Sequence, residues 1–212
     1  MLKIAALVPV KQFELSKTRL ELTKNQKIVL TELMLKFTII NLKKCKSIST
    51  IVTISEDERV EKISKIYETK FIFSKEKGVN FAIDAGDNYC KEKKVISNII
   101  VPIDLIFLNP YEIELLLIVA RKHQRCSIIV PSMRIDGTNI LIRQPFNMFE
   151  TSYDNNSYFN HIQSSKKAKA QTVIIKSVNL SEDLDTMDDY NRIITRPINK
   201  LSQLVSRIKH VI

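Results

Sequence analysis

The sequence predicts an α/β protein with a single-domain, mainly parallel, doubly wound sheet. Short apolar runs alternate with amphipathic helical patterns along the chain, which is typical of strands joined by crossover helices. The 212 residues are 44% hydrophobic and 26% charged, a composition typical of a folded domain. No repeat or Gly/Ser linker divides them, so residues 1–212 are predicted to form one domain, with 191–212 as a C-terminal helical extension.

The predicted strands are short runs of consecutive apolar residues, because a strand covered by helices on both faces has no polar side. Many of these residues are β-branched, which favours a strand over a helix. The runs span residues 4–8, 48–54, 70–73, 99–101, 127–130, 139–142 and 172–177.

The predicted helices show apolar residues three and four positions apart and recognisable start signals. Thr23, followed by Gln26 three residues later, is a capping-box start for a long helix through about Leu42. Pro110 suits the first turn of a helix over 110–122, where its missing N–H costs no hydrogen bond. Further helices are predicted over 58–67, 79–89 and 156–169.

The C-terminal segment 191–212 places Leu201, Leu204, Val205 and Ile208 on one helical face. This pattern predicts a basic amphipathic helix that packs on the domain or contacts another copy of the chain. The second of these interpretations implies a homodimer.

Three features of the sequence bear on location. No apolar run approaches the roughly 20 residues needed to span a bilayer, so no membrane partner is expected. The apolar stretch near the N-terminus is too short for a secretion signal and is interpreted as the first strand. Cys45, Cys90 and Cys126 are odd in number and far apart, which favours reduced thiols in the cytoplasm.

The net charge of +10 raises nucleic acid as a partner, since clustered cations bind a phosphate backbone. Here the lysines are spread through every segment, and no nucleic-acid-binding motif accompanies them. The charge is interpreted as a solvated basic surface, and no nucleic-acid partner is expected.

Four loops at the carboxyl ends of predicted strands carry polar residues, and open α/β sheets bind ligands at that edge. The first loop runs from Pro9 to Leu20 and contains Lys11, Lys17 and Arg19, whose charges would neutralise a polyphosphate. It lacks the glycines of a Walker A loop. The alternative is an ordinary solvated lysine loop.

The second loop contains Gly78, one of only three glycines in the chain. A residue this rare is expected where the backbone rejects a side chain. The helix that follows could receive an anion or a base edge at its N-terminus through Asn80. Asn80 is equally well explained as an ordinary residue of the first helical turn.

The third loop places Asp104 directly after an apolar strand, a natural position for a Mg²⁺ ligand. Its partner carboxylate is expected to be Asp185, which follows the last strand. A turn-forming aspartate at 104 and a helix N-cap at 185 are the alternatives.

The fourth loop, Gly137 to Asn139, is expected to combine with Ser157 and His161. Small hydroxyl groups and backbone amides would form a pocket for a compact anion through Thr138 and Ser157. A β-turn followed by a Ser-capped helix explains the same residues equally well. His161 is interpreted as a phosphate contact or as a routine half-buried histidine.

These loops in this order resemble one family, the 2-phospho-L-lactate guanylyltransferases that supply the side chain of the deazaflavin coenzyme F-420. The resemblance spans roughly residues 4–190. It is carried by the segments LVPVK at 7–11 with KTRL at 17–20, GVNFA at 78–82, PIDL at 102–105, GTN at 137–139, SYFNH at 157–161 and DLDTMDD at 183–189.

The resemblance implies a nucleotide-diphospho-sugar-transferase-like fold and an enzyme that transfers GMP from GTP to a small phosphorylated acid, releasing pyrophosphate. The acid would be 2-phospho-L-lactate or a related three-carbon acid such as phosphoenolpyruvate. The implied roles are catalytic for Asp104, Asp185 and Lys17, with the two aspartates binding Mg²⁺. The implied nucleotide-binding residues are Pro9, Lys11, Lys17, Arg19 and Asn80, and the implied acceptor-binding residues are Thr138, Asn139, Ser157 and His161.

Three positions depart from the family pattern. Ile106 and Met187 replace prolines, which changes loop stiffness more than chemistry. Asp154 stands where the family usually has glycine, and a carboxylate there would repel an acidic substrate unless it turns outward. A nucleotidyl- or glycosyl-transferase with another acceptor and a catalytically decayed basic binding module are the alternatives.

Overall fold

The computed structural model describes residues 3–75 and 78–195 and shows that seven strands in this part of the chain form one sheet. The strand order is β3-β2-β1-β4-β6-β5-β7. The strands are β1 (Ile4–Pro9), β2 (Thr50–Ser55), β3 (Lys70–Phe73), β4 (Ser97–Ile100), β5 (Cys126–Pro131), β6 (Thr138–Gln144) and β7 (Gln171–Ile174).

The sheet is mainly parallel, as the sequence predicts, with one exception. Strand β6 runs antiparallel to both of its neighbours, β4 and β5, while the other pairs are parallel. The amino end of β6 therefore lies at the same edge of the sheet as the carboxyl ends of the other strands. This reversal brings Thr138, the first residue of β6, to the edge where α/β proteins bind ligands.

Six helices of the described chain cover the two faces of the sheet, and a short 3-10 helix (Phe13–Leu15) interrupts the first loop. The first five match the predicted helices to within a few residues at each end. The six helices are α1 (Lys24–Lys43), α2 (Glu58–Ile66), α3 (Val79–Glu92), α4 (Pro110–Arg121), α5 (Ser157–Lys167) and α6 (Met187–Ile194).

Local hydrogen bonds explain where these helices begin. The Thr23 side chain accepts from the backbone N–H of Gln26 at the start of α1, and the Gln26 side chain accepts from the Thr23 N–H, which confirms the capping box. Asp57 caps α2 through a single hydrogen bond, which its side chain accepts from the Arg59 N–H.

The start of α6 differs from the prediction. The helix begins at Met187 instead of residue 191, because Thr186 and Asp189 form a second capping box. Thr186 is thus the N-cap, and the alternative that Asp185 caps this helix is wrong. The predicted amphipathic face at 201–208 lies outside the described residues, and the division of 1–212 into one domain with a helical extension stays a prediction.

The core has a layer on each face of the sheet. One layer packs α1, α2, α4 and α6 against the strands, and the other packs α3 and α5. Gly86 allows α3 to lie close to the sheet, because a Cβ there would come within 2.9 Å of side-chain atoms of Leu7 and Ile54. No helix in the described ranges is long and apolar enough to cross a membrane.

A buried ion pair joins α3 to the middle of the sheet. The Arg143 side chain on β6 is 1% exposed and donates to both carboxylate oxygens of Asp87 on α3 at 2.7 Å. Arg143 also donates to the Phe149 carbonyl at 2.8 Å, which ties the segment before α5 to the sheet. The Arg143 guanidinium thus uses its short hydrogen bonds to connect α3, β6 and the segment before α5.

We expect Arg143→Met to lower the free energy of unfolding by about 3 kcal/mol, because it leaves the Asp87 carboxylate buried without its partner. Removing both charges in an Asp87→Leu/Arg143→Met variant should recover more than half of that loss. As a control, Lys65→Met, which breaks an exposed ion pair with Glu61, should change the free energy of unfolding by less than about 0.5 kcal/mol. Urea unfolding measures all three, and a double variant as unstable as Arg143→Met would contradict the assignment.

Candidate active site

A cleft of about 840 Å³ lies along the carboxyl edge of the sheet. Its walls come from the loops after β1, β2, β4 and β5, from the start of β6 and from the segment before α6. The residues predicted from the sequence that line it are Pro9, Lys11, Lys17, Arg19, Asp104, Thr138, Asn139, Ser157 and Asp185. Asn80 and His161 are the predicted residues that do not.

The loop after β1 forms one side of the cleft, and α2 holds it in place. The backbone N–H of Phe13 donates to the Asp57 carboxylate at 3.0 Å. The Arg59 guanidinium bonds both Asp57 and Glu14 and lies over the Phe13 ring at 4.8 Å. With its middle fixed in this way, the loop leaves Lys11 and Arg19 exposed at the rim.

Lys17, in contrast, turns inward to the floor of the cleft. Its backbone adopts a left-handed conformation with a φ of 55°, and its side chain is 4% exposed. The ammonium donates to Asp104 at 2.8 Å and to Asp185 at 2.7 Å. A backbone hydrogen bond of 3.1 Å from the Leu184 N–H to the Asp104 carbonyl joins the two acidic loops directly.

The charges of this cluster stabilise one another. Burial alone would lower the pKa of the Lys17 ammonium, but Asp104 and Asp185 outweigh it and raise that pKa above the usual value. Burial would likewise raise the pKa of Asp185, but Lys17 holds it below the usual value. Lys17 and Asp185 are therefore both charged at neutral pH.

Asp183 is a third carboxylate of the cluster that the sequence interpretation did not select. Burial, followed by the charges of Asp104 and Asp185, raises its pKa to about 7. Its contact is a hydrogen bond of 3.4 Å from the Asn139 amide, which also donates to the Leu180 carbonyl. The spacing of Asp183 and Asp185, two residues apart in an extended segment, is the signal that both face one side.

The donor set suits a hard divalent cation, although Lys17 lies between two of its members. Three carboxylates lie near one ammonium, and burial, followed by the charges of Asp104 and Asp185, raises the pKa of Asp183. In the described part of the chain, no group of three or more His, Cys, Asp or Glu side chains has the geometry of a preformed metal centre. A Mg²⁺ that takes two carboxylates and completes its shell with water and phosphate needs no such centre.

Hydroxyl groups line the opposite side of the cleft. The backbone N–H of Thr138 donates to Ser157 Oγ at 2.9 Å, so the start of β6 is held against the start of α5. Ser157 is the first residue of α5, and Asn156, in a left-handed conformation, is the residue that precedes it. Ser157 thus bonds β6 and does not cap its own helix. Arg134, which sequence patterns did not single out, also lines the cleft and lies 3.7 Å from the Asp189 carboxylate.

The structure corrects the expected direct contact between His161 and a phosphate. The His161 side chain is 0% exposed and lies behind Thr138, with Nδ1 3.0 Å from Thr138 Oγ1 and Nε2 accepting from the Ser152 N–H at 3.0 Å. Both ring nitrogens therefore have protein partners. Burial, together with the charge of Arg143, lowers the pKa of His161 to about 3, so the ring is neutral.

The Asn80 side chain does not line the cleft and instead bonds the segment before α5. Its side-chain oxygen accepts from the Tyr153 N–H at 2.8 Å, and its Nδ2 donates to the Asp154 carboxylate at 3.1 Å. Asp154 is exposed and does not line the cleft. The carboxylate that departs from the family pattern thus turns toward Asn80, away from the expected substrate position.

The sequence matches a known family over most of its length. The profile of the family described as CofC, guanylyl transferase CofC like, matches residues 4–205, further than the motifs alone reach. The chain belongs to the CofC family. It is therefore a nucleotidyltransferase of the guanylyltransferase type.

Relatives of this CofC chain carry three different substrate names. The 2-phospho-L-lactate guanylyltransferase of Methanobrevibacter ruminantium is 31% identical over 91% of this chain and 85% of its own. The 3-phospho-D-glycerate guanylyltransferase of Colwellia psychrerythraea is 25% identical (92% and 96% covered). The phosphoenolpyruvate guanylyltransferase of Conexibacter woesei is 26% identical (87% and 84% covered).

Solved structures share the fold of this CofC chain. A protein of Desulfovibrio desulfuricans G20 assigned to the nucleotide-diphospho-sugar transferases superimposes with a TM-score of 0.79, at 14% identity, covering 99% of this chain and 98% of the other. A CMP:2-keto-3-deoxy-manno-octonic acid synthetase in complex with CTP gives a TM-score of 0.60 at 11% identity, with 97% and 99% covered. The expected nucleotide-diphospho-sugar-transferase-like fold is confirmed.

We expect Asp183→Asn to stabilise the ligand-free protein increasingly as the pH rises. The pKa of Asp183 is about 7 in the folded protein and 3.8 ordinarily. Between these values the unfolded chain loses the Asp183 proton more readily than the folded protein does, so the unmodified protein becomes less stable as the pH rises. Asparagine keeps the hydrogen bond from Asn139 and removes the charge.

Melting temperatures at pH 4.5, 6 and 8 test this expectation. The difference between the variant and the unmodified protein should be small at pH 4.5 and largest at pH 8. Asp188→Asn, which alters an exposed carboxylate outside the cleft, should give a small difference at every pH. A difference for Asp183→Asn that does not change with pH would contradict the charge crowding.

Proposed function

We propose that this protein transfers GMP from GTP to a small phosphorylated three-carbon acid, 2-phospho-L-lactate or a related acid such as phosphoenolpyruvate, in the biosynthesis of coenzyme F-420. The observation that carries the proposal is the Lys17 ammonium held between Asp104 and Asp185 in a cleft with cations on one side and hydroxyl groups on the other. Such a cleft can hold two anions end to end.

The cationic side of the cleft suits the triphosphate. Lys11 and Arg19 are exposed at the rim, where their side chains can reach phosphate oxygens, and the Arg19 guanidinium can bind two of them at once. Lys17 lies deeper, beside the carboxylates. Asn80 contributes indirectly, because its side-chain amide bonds Tyr153, which lines the cleft, and holds the Asp154 carboxylate outside it.

The acidic cluster would hold Mg²⁺. Asp104 and Asp185 are the proposed ligands, and Asp183 adds a third negative charge beside them. When bound, the ion would neutralise phosphate charge and polarise the phosphate that is attacked. The chain's own contribution is to hold both carboxylates in place through Lys17 and through the backbone bond from Leu184 to Asp104.

The proposed reaction needs positioning more than proton transfer. A phosphate monoester with a second pKa of about 6 is already ionised at neutral pH and can attack without a general base. One of its oxygens bonds to the α-phosphorus of GTP, the bond from that phosphorus to the β-phosphate oxygen breaks, and pyrophosphate leaves with the electron pair. Lys11, Lys17 and Arg19 offset the repulsion between the two anions.

The hydroxyl side suits the phosphorylated acid. Thr138 and Ser157 line the cleft, and the Thr138 N–H donates to Ser157 Oγ, so the two side chains lie together. The outward turn of Asp154 removes the electrostatic objection to an acidic acceptor. The names of the relatives support three candidate acids, and the similarity in sequence is highest for a 2-phospho-L-lactate enzyme among those compared above.

A cytoplasmic homodimer is proposed for the assembly. Cys45, Cys90 and Cys126 are all free and buried, which suits a reducing compartment. Tyr111, Leu115 and Ile118 form an exposed apolar stripe on α4 that a second copy could cover. Light scattering during gel filtration tests the dimer directly, and a monomer mass would contradict it.

The reaction is tested by incubating the protein with GTP, Mg²⁺ and each of 2-phospho-L-lactate, phosphoenolpyruvate and 3-phosphoglycerate. We expect pyrophosphate release and a guanylated product of the corresponding mass with one of them. If none of the three acids gives pyrophosphate release but the protein binds GTP, the acceptor is a different compound. If there is neither pyrophosphate release nor GTP binding, the result would favour a non-catalytic binding module.

We expect Asp104→Asn to lower kcat by at least about 100-fold, because it removes a charge that holds Lys17 and, as proposed, the cation. Asp188→Asn serves as the matched control and should keep its rate, since Asp188 lies outside the cleft. Steady-state pyrophosphate release measures both. A full rate for folded Asp104→Asn would show that the acidic cluster is not part of the catalytic machinery.

A further inference from the structure

The buried histidine behind the cleft has a hydrogen-bonding pattern that the proposed function does not require of it. His161 lies on α5 and bonds two segments of the acceptor side at once, with Nε2 3.0 Å from the Ser152 backbone nitrogen and Nδ1 3.0 Å from Thr138 Oγ1. The residue is 0% exposed, and of its two hydrogen-bond partners Thr138 is the one that lines the cleft.

The Ser152 contact fixes which ring nitrogen carries the proton. A backbone N–H can only donate, so Nε2 must accept with its lone pair and cannot itself be protonated. A neutral imidazole then carries its hydrogen on Nδ1, and this hydrogen points at Thr138 Oγ1. A doubly protonated ring would oppose the Ser152 N–H, which agrees with the neutral state favoured by burial.

The tautomer determines what the Thr138 hydroxyl can do. Because Oγ1 accepts from His161, its own hydrogen is left to donate elsewhere, and within the described ranges no protein acceptor takes it. Ser157 is in the same state, since its Oγ accepts from the Thr138 N–H and its hydrogen is likewise unused by described residues. Both residues line the cleft.

We infer that His161 is a positioning residue that turns Thr138 into a fixed hydrogen-bond donor, so that Thr138 and Ser157 together present two donors to an anionic group of the acceptor. This inference rests on the proposed function and deepens it. It specifies an acceptor group rich in lone pairs, a carboxylate or a phosphate, at the start of β6, and it assigns His161 no contact with substrate.

The tautomer is tested directly by proton–nitrogen NMR on protein with ¹⁵N-labelled histidine. The chain has three histidines, so the signal that disappears in His161→Asn identifies the ring. At pH 7 and at pH 5 we expect a neutral ring with Nδ1 protonated and Nε2 bare. A proton on Nε2, in either the neutral or the charged ring, would overturn the inference whether or not the protein is active.

The kinetic consequence is a selective change in the Michaelis constants. His161→Leu removes the donor to Thr138 and should raise the KM of the acceptor by about tenfold, the effect of one hydrogen bond, while the KM of GTP stays unchanged. His161→Asn places an amide N–H near the position of Nδ1 and should restore most of the acceptor KM. Gln163→Ala, an exposed position of α5, should change neither constant.

A coupled variant separates positioning from general damage to the fold. In a Thr138→Val background the hydroxyl is gone, so adding His161→Leu should leave the acceptor KM where Thr138→Val alone puts it. Additive effects, or equal rises in both KM values in folded protein, would overturn the inference. An unmodified protein that turns over none of the acids would refute the proposed function, and the NMR result would still decide the role of His161.

Discussion

The site depends on one buried ammonium placed between carboxylates from distant parts of the chain. Lys17 bonds Asp104 at 2.8 Å and Asp185 at 2.7 Å, and without it three carboxylates would crowd the floor of one cleft. Like charges at this distance repel strongly in a poorly solvated site. The left-handed backbone at Lys17 and the clamp of its loop by Asp57 keep the ammonium in place.

The reversed strand β6 gives the cleft its second chemical character. If β6 ran parallel to its neighbours, Thr138 would lie at the opposite edge of the sheet from Asp104. Because it is antiparallel, Thr138 lines the same cleft as the cluster around Lys17. A region of cations and carboxylates, where we propose that the nucleotide and Mg²⁺ bind, thus shares one cleft with the hydroxyl groups that we propose bind the second anion. Two substrates can then be aligned without a dedicated acid or base.

Most of the fold could be predicted from the sequence, because its helices and strands carry strong local signals such as the Thr23 capping box. The proximity of Lys17, Asp104 and Asp185 followed from one rule, that strand ends meet at one edge of a sheet. The partners of Asn80 and the burial of His161 could not be predicted, because both depend on the packing of the 150–161 segment. The sequence marks Asp183 only by its spacing from Asp185, and its burial beside the other carboxylates depends on how this segment packs.

The most direct test of this account is the binding of Mn²⁺, a spectroscopic substitute for Mg²⁺, followed by electron paramagnetic resonance with and without GTP. We expect GTP to strengthen Mn²⁺ binding to the unmodified protein and to Asp188→Asn, and we expect Asp104→Asn to lose this strengthening. Equal binding of Mn²⁺ and GTP by folded Asp104→Asn would contradict the claim that the carboxylates around Lys17 form the metal–nucleotide site.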